Sequence, residues 1–116
     1  MGRSLAFAFL LLAATGCTSW PEKPRVCFAS ESSASPENAA QAKALRYVKR
    51  REAASCSAAG VECNLQLKVQ PNGAIAVVAS RALLGGAPPT CTRLEGGFST
   101  YFFSALGEYS RVELGL

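Results

Sequence analysis

Polar and apolar residues alternate along 61–70 more regularly than anywhere else in the chain. Val61, Cys63, Leu65, Leu67 and Val69 share one parity, and Glu62, Asn64, Gln66, Lys68 and Gln70 share the other. A period of two predicts a strand with one buried face. Pro71, Asn72 and Gly73 follow, suited to a type I turn with Gly73 in the left-handed region, which closes a bulged three-residue hairpin loop. The return strand is predicted over 74–83.

Over 36–54 the period becomes helical. At about 100° per residue, Ala40, Ala44, Leu45, Tyr47 and Val48 fall on one side, and Lys43, Arg46, Lys49 and Arg50 on the other. Ser35, Pro36 and Glu37 supply a start: a hydroxyl for free amides, a proline preset for the first turn, and a carboxylate at the positive end. The apolar side is largely alanine, so this helix can approach a sheet closely while burying little area per residue.

Three further strands are predicted. One covers 25–29 around Val26, Cys27 and Phe28. One covers 98–105, with Phe98 and Phe102 on one face and Tyr101 and Phe103 on the other, and 109–114 makes an edge strand. Residues 85–89 read as a break, leaving Cys91 in an irregular stretch ahead of Gly96 and Gly97. The order predicts an α+β fold: one N-terminal helix on a small antiparallel sheet of about four to five strands, stabilised by disulfides.

Ahead of this domain, residues 5–14 are apolar, with Arg3 before them and Thr15, Gly16 and Cys17 behind. Ten residues are half of the roughly 20 that a helix needs to cross a bilayer, so the run reads as a cleaved export signal. Ala14, Thr15, Gly16 and Cys17 resemble the lipobox of bacterial lipoproteins, with Ala14 where a branched residue is commoner. The resemblance implies a diacylglycerol on the Cys17 sulfur and acyl chains as the membrane anchor. It divides the chain into a signal peptide (1–16), a lipidated, proline-containing tether (17–24) and one domain (25–116). Thr18 and Ser19, in place of an aspartate, imply the outer membrane, facing the periplasm. Trp20 in the tether is expected to pack onto its own domain.

Setting Cys17 aside leaves Cys27, Cys56, Cys63 and Cys91, an even number that suits two disulfides in an oxidising compartment. With no histidine, and without C-x-x-C pairs, these cysteines do not form a zinc pattern. Four cysteines allow three pairings. A helix returning beside the first strand favours Cys27 with Cys56, and Cys63 with Cys91.

The chain has no histidine and no aspartate, which removes imidazole bases and the usual nucleophile triads. No lysine stands three residues after a serine, so the S-x-x-K arrangement is missing too. Glu62 with Glu95 is the remaining acid–base pair, and both read as solvated carboxylates. The expectation is therefore a protein that is not an enzyme and uses no cofactor or metal.

A net charge of +4 is too mild to suggest nucleic acid in an exported chain. Lys43, Arg46, Lys49 and Arg50 are the candidate anion-binding residues. One helix can cover only one sheet face, so Tyr101 and Phe103 are the candidate partner-binding residues, with burial under 85–97 as the alternative. These features suggest a non-enzymatic envelope lipoprotein that binds another envelope protein, as an accessory subunit or as an inhibitor or immunity protein. A module for anionic lipid or glycan is the alternative, and a small hydrolase comes last.

Overall fold

Asn38, not Ser35, starts the helix in the computed structural model, which describes residues 19–21 and 25–115 apart from the side chains of Leu94 and Glu95. The Asn38 Oδ1 accepts the Gln41 amide at 2.9 Å, and the Gln41 Oε1 accepts the Glu37 amide at 2.8 Å. Two amides at the helix entrance are satisfied by this near-reciprocal cap, which displaces the start predicted at Pro36. Helix α1 spans Ala39–Cys56 and turns Gln41, Ala44, Leu45, Val48, Glu52, Ala53 and Cys56 inward.

Four antiparallel strands follow in sequential order: β1 (Val61–Val69), β2 (Ile75–Gly85), β3 (Thr90–Phe103) and β4 (Tyr109–Leu114). The β1–β2 hairpin closes as its turn chemistry predicts. Gly73 has φ +87°, its amide donates to Gln70 O at 2.9 Å, and the Gln70 amide donates to Ala74 O at 2.8 Å. The core lies between α1 and one sheet face, where Ala44, Leu45 and Val48 meet Leu65, Val77 and Phe103.

Three expectations are corrected. Residues 25–29 are not a strand but part of a turn over 26–30. Successive amides of a strand point in opposite directions, whereas those of Val26, Cys27 and Phe28 all donate to the Glu62 carboxylate, at 3.0–3.1 Å. A turn can aim three consecutive N–H groups at one anion, and a strand cannot.

Cys91 is not in a loop, because the break is confined to 86–89 and β3 already begins at Thr90. Gly96, at φ +72°, sits opposite the register shift between Ser80 and Ala82. The glycine pair therefore bulges a continuous strand instead of ending it.

The disulfides are Cys27–Cys91 and Cys56–Cys63, with Cα separations of 5.5 and 5.7 Å. Cys56 ends α1, and the short turn after it leads straight onto β1, which carries Cys63 on the helix side. Cys63 pairs across the sheet with Arg81, whose guanidinium reaches Glu52 of α1. Cys91 pairs with Leu84 and has the opposite parity, so it faces away from α1 towards the 26–30 turn. The two disulfides therefore lie on opposite faces of the sheet.

The second face has a cover that the sequence pattern did not suggest. Phe28 is fully buried, and the Arg93 guanidinium lies 4.5 Å from its ring centroid. Arg25 donates to Asn64 Oδ1 at 2.8 Å and to Phe28 O at 2.7 Å, fastening the turn to β1. The chain then rounds the β1 edge, where the Ala34 amide donates to Leu65 O at 2.8 Å, and enters α1.

Candidate functional site

Lys43, Arg46, Lys49 and Arg50 all emerge on the solvent side of α1 and are exposed. Lys43 Nζ lies 2.7 Å from Glu108 Oε1, an exposed pair of small energetic weight. Among the described residues, Arg46, Lys49 and Arg50 have no carboxylate partner, so their charges act outward. Arg51 leaves this face: it donates to the Tyr47 hydroxyl at 3.0 Å, beside the stacked rings of Tyr47 and Tyr109, whose centroids are 4.6 Å apart.

The basic face adjoins the start of the described chain. The Ser57 hydroxyl, just beyond α1, donates to Ser19 O at 3.4 Å, and half-buried Trp20 packs against the core. Trp20 thus rests on its own domain, as expected. It lines a cavity of ≈ 250 Å³ together with Pro21, Lys49, Cys56 and Asn64. Lys49 therefore joins the tether to the basic face. Cys17 and residues 22–24 lie outside the described residues.

Tyr101 and Phe103 do not form an exposed surface. They are 5% and 3% exposed, and α1, not the 85–97 stretch, buries them. Their register explains the correction: they pair with Val77 and Ile75, whose side chains face α1. Phe98 and Phe102 take the outer face instead, with Phe98 41% exposed and Phe102 half-buried.

Among the described residues, the two buried carboxylates, Glu52 and Glu62, are occupied by the fold. Glu52 accepts from Arg81 Nη1 at 3.1 and 3.2 Å and from the Tyr101 hydroxyl at 3.1 Å. Burial, followed by the charge and hydrogen bond of Glu52, pushes the Tyr101 phenol up to about 12. Glu62 is 5% exposed. Burial alone would raise its pKa, but the amides of Cys27, Phe28 and Val26, with the Arg25 charge, together hold it below the ordinary glutamate range. Its carboxylate oxygens accept those three amides, and the residue also lines the cavity beside Trp20. The other member of the proposed pair, Glu95, has its side chain outside the described residues.

Sequence reasoning missed Arg25, Glu52, Asn64 and Arg81. One signal for Glu52 was readable: it extends the stripe of Leu45 and Val48 by helical spacing, and a carboxylate on an apolar stripe needs buried partners. No protein-family model matches the chain, nor does any curated protein or solved structure.

Proposed function

We propose that the chain is a lipid-anchored protein of the bacterial cell envelope, held at the outer membrane and facing the periplasm. Its domain acts by binding, not by catalysis, and the basic face of α1 meets an anionic lipid or glycan surface. The observation that carries this reading is the contact of residues 19–21 with the end of α1, beside Lys49. Cys17 stands two residues before Ser19, and two extended residues span about 7 Å at most. An acyl chain on Cys17 therefore keeps the end of α1 close to the headgroups, where each Lys or Arg contributes about 1 kcal/mol against anionic lipid. The structural employment of Glu52 and Glu62 supports the non-catalytic part of the reading.

Changing Arg46, Lys49 and Arg50 to Gln in the unlipidated chain from Thr18 onward is expected to weaken binding to anionic vesicles by on the order of a hundredfold at low salt. Thermal unfolding should stay unchanged, because all three side chains are exposed. Vesicle sedimentation measures the binding, and equal affinity of the variant and the parent would overturn the surface assignment. Intact mass of the mature protein tests the anchor: Cys17 diacylated and four cysteines oxidised are expected, and an unmodified N-terminus elsewhere refutes it.

An envelope protein is the second reading. Exposed Phe98, on the outer sheet face that half-buried Phe102 shares four residues further along β3, offers the apolar contact that Tyr101 and Phe103 do not.

A further inference from the structure

The two edges of the sheet are finished differently. Along β1, Leu65 O already accepts the Ala34 amide where the chain passes on its way to α1. Along β4, nothing among the described residues pairs with the outer side. The Gly115 amide donates to Phe98 O at 2.8 Å, and hydrogen-bonding residues alternate along an antiparallel pair. Glu113 and Arg111 therefore direct their backbone groups to β3, while Val112 and Leu114 direct theirs outward. This edge carries no proline and no lysine, two of the usual devices that keep an edge single. Leu114 is 72% exposed on it.

We propose that β4 pairs antiparallel with β4 of a second copy, Val112 facing Val112 across a twofold axis. The charge pattern selects this register. Centred on Val112, Arg111 of each copy falls opposite Glu113 of the other, at the non-hydrogen-bonded positions where side chains approach most closely. A register centred on Arg111 or Glu113 would also join outward backbone groups, but it sets Arg111 against Arg111 or Glu113 against Glu113 at the closely spaced positions. One centred on Leu114 would set Glu113 against Gly115 and leave Arg111 unmatched. Only the Val112 register satisfies both the backbone and the charges.

The same arrangement puts Leu114 opposite Ser110 of the second copy, which covers it. A twofold axis normal to the sheet keeps both α1 helices on one side of a continuous eight-stranded sheet. Within one chain Arg111 already lies 3.4 Å from Glu113, both well exposed, so association exchanges a weak local pair for two cross-strand pairs.

Light scattering on the full chain in a non-ionic detergent, corrected for bound detergent, reads the protein mass. A mass of two chains is expected. Arg111→Glu alone and Glu113→Arg alone each set like charges opposite one another, and each is expected to weaken association at least about tenfold. An equimolar mixture of the two variants should recover the two-chain mass, because each Glu at 111 then meets an Arg at 113 of the other variant. Within each variant chain the local charges remain alike, so recovery reports contact between chains. Far-UV circular dichroism identical to the parent checks the fold of each variant. A single-chain mass for the parent, association of the variants as strong as the parent's, or a mixture that stays single would each overturn the proposal.

Discussion

Replacing Cys27 and Cys91 together by serine is expected to lower folding stability by about 4 kcal/mol, against about 2 kcal/mol for the same change at Cys56 and Cys63. The difference follows from loop length: the first bridge closes 64 residues and the second only 7, so the first removes more freedom from the unfolded chain. The structure adds a local reason in the same direction. Cys27–Cys91 holds the turn that buries Phe28 and supplies the amides to Glu62, whereas Cys56–Cys63 reinforces a helix end already joined to its strand by a short turn. Denaturant midpoints of the two oxidised double variants measure the order. Equal losses, or a larger loss for the short bridge, would show that loop closure does not set it.

Glu62→Ala is expected to cost about 3 kcal/mol or more, because three partly or fully buried amides lose their common acceptor. Glu62→Gln should cost less, since its side-chain oxygen still accepts. The two variants also differ from the parent in pH dependence. The folded-state pKa of Glu62 is lowered, so its contribution is fully present above the ordinary glutamate range and is lost as the pH falls through the lowered folded value. The parent therefore loses stability on the acid side, and Glu62→Gln loses that part of the slope. Unfolding free energies from neutral to strongly acid pH measure it. An acid slope unchanged in Glu62→Gln would mean that the carboxylate is not the group that titrates.

The parts of the fold legible in sequence are those decided by neighbours in the chain. The 61–70 alternation and Pro71-Asn72-Gly73 specify a hairpin locally, and its register follows from the turn. The helix was legible from its period, although Asn38 and Gln41 competed successfully with Ser35 for its start. The turn at 26–30 was not legible, because a short apolar run has the same pattern in a strand and in a buried turn. What decides between them is Glu62, more than thirty residues away. For the 98–105 strand the two parities were legible, but a strand's pattern is symmetric between its faces. Only the pairing with Ile75 and Val77 turns Tyr101 and Phe103 to the helix.

The candidate site divides along the same line. Lys43, Arg46, Lys49 and Arg50 could be read as one face because helical spacing groups them without help from the rest of the molecule. That Trp20 and Lys49 share a groove, and that Glu52 and Glu62 are bound up in the fold, required the chain to return on itself.

By itself, then, the sequence determined the α+β class, the main hairpin, the basic helix face and the four cysteines that form disulfides, because each depends on residue type and short spacing. The tertiary structure alone decided which cysteines pair, which aromatic parity is buried, and what covers the second sheet face. Those outcomes depend on which sheet face each side chain takes, and that is set only when distant segments meet.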